Sequence, residues 1–315
     1  MSFPLESYAW TKYGLTYDST RHNPSWGSTH ALVPTPQVLS SNEVAIYSSF
    51  VDQEFRGRIG RVDIGFHSGY PEVINVNQEP TLNIGVEGSF SQYGVGMGTF
   101  WPNQENGDLY FVAFDRPKGF KFKAFTGKAK FDVASQKYIQ VSDIPKFGPE
   151  LGGHTIVGVH DIFEHDGLMQ ILVSIGSGFE IINGKEYPQY EVHLASGPDL
   201  EHVEISNKPI IEARYPVYRI GRPRITKIVN GFEILVTAGT TDGTYLPEAY
   251  YSSNLKEWTK GSVKSFISTQ IKDFDDQHQC YLSRFQLNGE EWIVYNGNKM
   301  GLGGFGFAKG ELNVN

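Results

Sequence analysis

The chain has 315 residues, of which 39% are hydrophobic and 14% aromatic, and its formal net charge is −8. This length can bury a sizeable core, and the acidic balance excludes the basic footprint of a nucleic-acid-binding protein. Glycine contributes 35 residues, which together with the aromatic content favours strands and tight turns over helices.

The N-terminal residues 1–25 show no regular pattern, and we expect them to be irregular. They contain neither the basic region nor the apolar run of a secretion signal. No apolar run reaches the length of a membrane span, and the single cysteine, Cys280, cannot form an intrachain disulfide. We therefore expect a cytoplasmic protein without a membrane span.

A strand-hairpin unit recurs from residue 30 onward. Its turn is an Asn-Gly or Asp-Gly pair between apolar runs, found at Asn106-Gly107, Asp166-Gly167, Asn230-Gly231 and Asn288-Gly289. Such pairs suit a type I′ turn, which needs positive φ at both central residues. Strand-rich segments lie at about 30–75, 80–135, 152–205, 215–260 and 275–310.

Five such units predict an all-β fold, a five-bladed β-propeller, as a single domain over residues 1–315. The innermost strand of each blade would line a central channel. The alternative is a β-sandwich or two tandem sandwiches, which would not require the same hairpin at a regular spacing.

Two polar stretches contain candidate acid–base residues. In the run from Asp273 to Cys280, Asp275 or His278 could act as acid, base or sugar hydrogen-bonder, whereas the alternative is an acidic surface loop. His160 begins the third segment and could be a base or a ligand to hydroxyl groups, or else a hydrogen-bonded structural histidine. The histidines lack metal-ligand spacing, so we predict no metal ligand set.

Arginines are concentrated in one short stretch of this acidic chain, at Arg214, Arg219, Arg222 and Arg224. Guanidinium groups bind phosphate or carboxylate in a bidentate way. A channel-facing Arg219 or Arg222 would suit a phosphosugar, a sugar nucleotide or an acidic sugar. The alternative is pairing with carboxylates such as Glu212 or Asp242.

Several motifs occur in an order that is typical of one family. They are Thr29-His30-Ala31-Leu32-Val33-Pro34-Thr35-Pro36, Ile46-Tyr47-Ser48-Ser49, Asp52, Gly57-Arg58-Ile59-Gly60, Gly88-Ser89-Phe90, the stretch from Glu180 to Lys185, Gly221-Arg222-Pro223 and Tyr295-Asn296-Gly297-Asn298. Through them, residues 25–308 resemble the five-bladed propeller proteins related to glycoside hydrolase family 43. That superfamily includes arabinanases, xylosidases, invertase-like enzymes and mannoside phosphorylases. The branch that looks most similar is the small single-domain proteins associated with surface-polysaccharide assembly.

The resemblance implies a carbohydrate site at one mouth of the channel. It makes Asp52 and Asp275 candidate carboxylates, His160 and His278 candidate proton carriers, and Arg222 an anchor for an anion or a hydroxyl group. Further candidate substrate-binding residues are His30, Tyr93, Glu180, Arg219 and Gln277. No cofactor is expected, although the family permits a structural calcium ion in the channel.

The chain departs from the family pattern where hydrolysis needs carboxyl groups on both sides of the scissile bond. Thr35 stands where such glycosidases carry an aspartate base, and Ser91 and Gln277 stand at other positions expected to be acidic. The leading hypothesis is an enzyme that cleaves or transfers a glycosyl unit in bacterial surface-polysaccharide or glycoconjugate metabolism. The alternatives are a non-catalytic sugar-binding propeller, or a transferase or phosphorylase that uses a phosphorylated sugar.

Overall fold

The computed structural model describes residues 2–119, 121–153, 155–182 and 184–313. Within these ranges, the only α-helices are two four-residue segments, α1 (Ser19–His22) and α2 (Lys264–Ile267), and the remaining regular structure is almost entirely β-strand. Neither helix is long and apolar enough to cross a membrane.

The strands form five antiparallel blades of four strands each. Blade I contains β2 (His30–Val38), β3 (Glu43–Val51), β4 (Gly57–Gly65) and β5 (Glu72–Val76). Blade II contains β6 (Val95–Trp101), β7 (Asp108–Asp115), β8 (Lys123–Asp132) and β9 (Lys137–Gln140). Blade III contains β10 (Ile156–His165), β11 (Leu168–Ile182), β12 (Lys185–Gly197) and β13 (Glu204–Ile205). Blade IV contains β14 (Val217–Ile228), β15 (Gly231–Thr240), β16 (Tyr245–Ser252) and β17 (Thr259–Lys260). Blade V contains β18 (Cys280–Leu287), β19 (Glu290–Asn296), β20 (Gly304–Leu312) and, from the other end of the chain, β1 (Tyr8–Asp18).

The blades close into a ring. Each innermost strand contacts the next in the order β2, β6, β10, β14 and β18, and β18 contacts β2 again. One cluster of buried apolar side chains lies at each of the five interfaces between neighbouring blades. The predicted five-bladed propeller is therefore confirmed.

Three of the four hairpin signals in the sequence are confirmed by the backbone. Both residues of the pairs Asp166-Gly167, Asn230-Gly231 and Asn288-Gly289 have positive φ, and each pair joins the first and second strands of a blade. The prediction is wrong for Asn106-Gly107, where only Asn106 has a positive φ.

The expectation of an irregular segment over residues 1–25 is wrong. β1 pairs antiparallel with β20, from Tyr8 opposite Leu312 to Asp18 opposite Gly304, and it supplies the outermost strand of blade V. The register shifts on both sides of Leu15, so the strand has no simple alternation. Its partner lies at the far end of the chain, and a local pattern carries no information about such a pairing.

Candidate binding site at the channel mouth

Each innermost strand carries a β-bulge, where it gains residues relative to the second strand of its blade. A bulge disrupts the ladder and re-aims a side chain. The five residues at these bulges surround a small cavity between the blades, and we call them the hub: Val33, Gly98, His160, Arg222 and Tyr281. The hub gathers one residue from each blade.

Arg222 is the charged member of the hub. Its φ of 56° is uncommon for a residue other than glycine, and the bulge holds it in this conformation. Its guanidinium donates to the carbonyl of Met97, and Nη1 lies 3.2 Å from His160 Nδ1. Burial, and then the charges of Arg222 and Arg224, hold the pKa of His160 well below its usual range. The hub therefore combines a cation with a neutral imidazole.

A cavity of about 410 Å³ lies on one side of the hub, lined by Thr35, Thr99, Asp161, Arg224 and Ser283 among others. Arg224 Nη2 donates to Thr35 Oγ1 at 2.8 Å, so the residue in the place of the expected aspartate base is hydrogen-bonded to a guanidinium. Asp161 accepts from the Ile225 amide at 3.0 Å and lies 4.0 Å from Arg224 Nη1. Burial raises the pKa of Asp161. This side of the hub is a network of internal hydrogen bonds.

A larger cavity of about 640 Å³, which we call the mouth, opens where the innermost strands begin. Its walls come from blades I, II and V and from Arg222 of blade IV. Four lining side chains are cationic: Arg116, Lys121, Arg222 and Lys299. Among the described residues that line the mouth there is no aspartate or glutamate. Cations on the walls of a cleft focus a positive potential that attracts anions.

The cations of the mouth lack carboxylate partners within the described part of the chain. Lys121 donates to a backbone carbonyl, that of Glu186. Arg116 lies 5.5 Å from the centre of the Tyr93 ring, a cation–π contact. Lys299 is exposed and forms no ion pair among the described residues. Three positive charges are therefore available to a ligand.

The other lining residues suit a sugar. Phe55 is 72% exposed at the rim, and Phe114 and Phe122 add aromatic surface on which a sugar ring can stack. His30 also lines the mouth; its Nδ1 lies 2.8 Å from Thr29 Oγ1, and burial lowers its pKa. The ring is therefore a neutral hydrogen-bonding group at neutral pH.

Lys299 reaches the mouth because of an unusual backbone. Lys299 and Met300 both lie in the left-handed region, with φ of 55° and 53°. Two hydrogen-bonded asparagines hold the segment on either side. Asn298 Oδ1 accepts from two amides of the preceding loop, and buried Asn296 donates to the carbonyls of Ala31 and Gly304. Strain of this kind persists only where the surroundings enforce it, and it clusters at functional sites.

Asp52, a predicted catalytic carboxylate, caps a turn beyond β3. Its Oδ1 accepts from the amides of Glu54 and Arg56, and its Oδ2 lies 2.9 Å from Arg58 Nη1 and 3.2 Å from Arg56 Nε. Burial acts to raise the pKa of Asp52, but these hydrogen bonds hold it below its usual value. Asp52 is not among the residues that line the mouth.

Asp275, the second predicted carboxylate, is buried in blade V. It lies 2.7 Å from Lys12 Nζ on β1 and accepts from the Tyr295 hydroxyl at 2.9 Å. It also accepts from the Ile271 amide. The side chains of Asp275 and Lys12 are almost completely inaccessible to solvent. The structure does not bring Asp275 to the mouth, and so it does not pair Asp52 with Asp275.

Three further predicted residues lie outside the mouth lining. Gln277 is exposed, and His278 is half-buried; the amides of both donate to Asn298 Oδ1. Glu180 accepts from Gln189 and lines a separate cleft between blades III and IV.

The mouth does collect other predicted residues. His30, Tyr93 and Arg222 line it, and His160 lies at its base in the hub. Arg219 is buried beside Met300, which is itself a lining residue.

Two cations of the mouth, Arg116 and Lys299, are not predicted as site residues from the sequence. Arg116 follows β7 in a turn without a distinctive motif, and Lys299 follows directly after the family motif that ends at Asn298. Lys121 lies in a stretch of alternating phenylalanine and lysine, a pattern that indicates an amphipathic hairpin with solvated lysines or, as the alternative, a polyanion-binding face.

A cation does not fit the hub. In the described part of the chain, no three residues of the types His, Cys, Asp and Glu lie together as a metal site. Arg222 and Arg224 line the hub cavity, and their positive charges would repel a metal ion. The described residues of the hub therefore do not fit the calcium ion that the family permits.

Comparisons with known proteins agree with the fold. No protein-family model matches the chain. It is 27% identical over 301 residues to Rv1502, an uncharacterized protein of Mycobacterium tuberculosis (strain ATCC 25618 / H37Rv), covering 95% of this chain and 98% of that one. It is structurally similar to BT0996 in its RGII complex, with a TM-score of 0.64 and 12% identity over 97% of this chain and 92% of that one. It is also similar to the α-L-arabinofuranosidase PaAbf62A of Podospora anserina in complex with cellotriose, with a TM-score of 0.59 and 9% identity over 98% of each chain.

These similarities extend over nearly the full length of the chain. The protein therefore has the five-bladed propeller fold of the glycoside hydrolases, as the resemblance of its motifs predicts. A shared fold does not by itself assign an activity.

Proposed function

We propose that the protein binds an anionic carbohydrate, a sugar carrying a phosphate or carboxylate group, in the mouth. The observation that carries this proposal is the composition of the mouth: four cations and several aromatic rings line it, and no described lining residue is a carboxylate. Two-carboxylate hydrolysis needs an acid and a base on opposite sides of the glycosidic bond. The candidates for these roles, Asp52 and Asp275, are held elsewhere in ion pairs.

Solved propellers of this fold in complexes with carbohydrates support a sugar as the ligand. The charge of the mouth supports an anionic group on that sugar, because Arg116 and Lys299 have no carboxylate partner among the described residues. The surface-polysaccharide setting expected from the family resemblance belongs to this proposal.

Thermal unfolding with matched ligands tests the proposal. Glucose 1-phosphate or glucuronate should raise the melting temperature, whereas glucose at the same concentration should not. A ligand at about 100 times its Kd stabilises the native state by about 2.7 kcal/mol. The effect should weaken as salt is added, because the mouth is open to screening ions.

The matched variants are Lys299→Ala in the mouth and Lys256→Ala on an exposed turn of blade IV. The first should reduce the shift caused by charged sugars, and the second should leave it unchanged. Equal shifts with glucose and glucose 1-phosphate would refute the proposal, as would hydrolysis of neutral glycosides that survives both substitutions.

Glycosyl transfer from a sugar phosphate is a second candidate function, and the neutral imidazole of His30 favours it. In this reaction an acceptor hydroxyl attacks the anomeric carbon, its proton passes to His30, and the anomeric carbon–oxygen bond breaks with its electron pair leaving on phosphate. The cations of the mouth would stabilise that leaving group. Phosphate release from glucose 1-phosphate that depends on a sugar acceptor, and that is lost in His30→Gln without weaker binding, is the expected result. Binding without release would leave the protein as a binding propeller.

A further inference from the structure

Arg219 is a buried cation on the innermost strand of blade IV, three residues before the hub. It is 9% exposed. Its neighbour across the strand pair is Gly239, where a Cβ atom would lie 2.7 Å from Arg219 Nε. The absence of a side chain at Gly239 leaves room for this guanidinium.

Aromatic rings surround the Arg219 guanidinium. Its Cζ lies 4.5 Å from the ring centre of Tyr245, 5.2 Å from that of Tyr218 and 5.5 Å from that of Tyr187. Such contacts stabilise a cation partially, through the negative face of each ring. They do not satisfy its N–H donors.

The N–H donors of Arg219 find no oxygen acceptor among the described residues. Nε is buried without a partner, and Nη2 contacts only the sulfur of Met300, a weak acceptor, at 3.9 Å. The other arginines buried near the channel are satisfied differently. Arg284 pairs with Glu233 and Glu291, and Arg224 donates to Thr35 and to the carbonyl of His160.

Arg219 lies directly behind residues that line the mouth. Met300, which contacts Nη2, also lines the mouth. Tyr281, another lining residue, packs edge-on against Tyr245 at 5.6 Å between ring centres. Methionine is unbranched and flexible, so its side chain can move aside without a change in the strands around it.

We propose that Arg219 is a subsite for the oxyanion of the bound sugar, a phosphoryl or carboxylate group that displaces the Met300 side chain to reach Nη2. This inference rests on the proposed function, because the sugar enters through the mouth. A buried charge without a counter-ion is costly, and guanidinium binds both kinds of oxyanion strongly. Arg219 then fixes the anionic group while the rings at the rim hold the sugar.

Calorimetric titration of glucose 1-phosphate and of glucuronate tests the subsite. Arg219→Gln should weaken the binding of at least one of them by about tenfold or more. Arg219→Lys, which keeps the positive charge, should lose less affinity for the same compound. The compound that loses affinity identifies the oxyanion. Arg21→Gln, at an exposed arginine that does not line the mouth, is the control.

The outcomes separate the two proposals. If the wild-type protein binds neither charged sugar, the proposed function fails. If the wild type binds them and Arg219→Gln binds them equally well, the Arg219 subsite is refuted. The proposal that the mouth binds an anionic sugar is then unaffected.

A second measurement covers the case in which Arg219→Gln does not fold. The Nε–H resonance of Arg219 in the wild-type protein, assigned from the spectrum of Arg219→Lys, should shift on adding glucose 1-phosphate or glucuronate but not glucose. A resonance that stays in place with both charged sugars overturns the inference.

Discussion

His160 illustrates how the hub sets the chemistry of one side chain. A guanidinium can only donate, so the imidazole Nδ1 that faces Arg222 at 3.2 Å is an acceptor. Burial and the neighbouring positive charges lower the pKa of His160 well below 6.5, so protonation is disfavoured. The predicted role of His160 as a proton carrier stays a prediction, and this geometry makes it a neutral acceptor at neutral pH.

The burial of His160 makes the stability of the protein depend on pH. Below about pH 6.5, His160 binds a proton in the unfolded chain but not in the folded one. The free energy of unfolding should therefore fall as the pH falls through this range, by up to about 1.4 kcal/mol per pH unit from this residue. His160→Gln removes the contribution, so the stability difference between wild type and variant should shrink from about pH 7 to about pH 5, as measured by urea denaturation. His30 and His193, whose pKa values burial also lowers, are present in both proteins and cancel. Parallel pH profiles for the two proteins would contradict this account.

At the scale of the element, the bulges of the innermost strands determine what the channel contains. Val33, Arg222 and Tyr281 occupy equivalent bulges with φ between 56° and 59°, although their side chains have nothing chemical in common. The backbone is repeated around the ring while the residue type varies. Gly98 is the bulge position without a side chain, because backbone approaches it from two sides.

Gly98→Ala should therefore destabilise the ring strongly. The added Cβ would lie 2.3 Å from the Tyr110 carbonyl oxygen and 2.8 Å from that of Val159, and both belong to backbone that cannot rotate away. Overpacking of this kind typically costs about 1–3 kcal/mol, and we expect the upper end. Gly303→Ala is the control, because nothing lies within 4 Å of its Cβ position and its φ is not left-handed. Thermal unfolding should show a lower melting temperature for Gly98→Ala alone, and a similar melting temperature for both variants would be evidence against a crowded hub.

At the scale of the whole molecule, the N-terminal segment closes the ring. β1 completes blade V, and Lys12 forms a buried ion pair with Asp275. Burial lowers the pKa of Lys12 to about 8, so the ammonium is still largely charged at neutral pH. Ahead of β1, the Leu5 amide donates to Glu233 of blade IV, which in turn pairs with Arg284 of blade V. The first residues thus connect the last two blades through buried charges.

Asp275→Asn tests this view of the closure. The substitution leaves Lys12 buried without its counter-ion, which typically costs about 3–5 kcal/mol. Lys12→Met in the same background should recover part of the loss, and chemical denaturation of the four proteins of this cycle measures the coupling. Binding of glucose 1-phosphate well below the unfolding transition should be unchanged. If Asp275→Asn were as stable as the wild type but no longer released phosphate from glucose 1-phosphate, Asp275 would instead be a catalytic residue.

Features that depend on neighbouring residues can be predicted from the sequence alone. Asn230-Gly231 and Asn288-Gly289 predict their hairpins because a turn is specified by the φ preferences of two adjacent residues. Five such units with alternating apolar runs predict the number of blades. The sequence also identified His30, Tyr93 and Arg222 at the mouth, since they lie within or beside motifs of the innermost strands.

Three features follow from tertiary contacts and not from local sequence: the pairing of β1 with β20, the place of Asp275 and the charge of the mouth. Each depends on residues far apart in the chain, such as Lys12 with Asp275, or Arg116 with Lys299. A carboxylate in a polar run looks the same in sequence whether it faces a ligand or a buried lysine. Its role is set by the charges that the closed ring brings within a few ångströms of it.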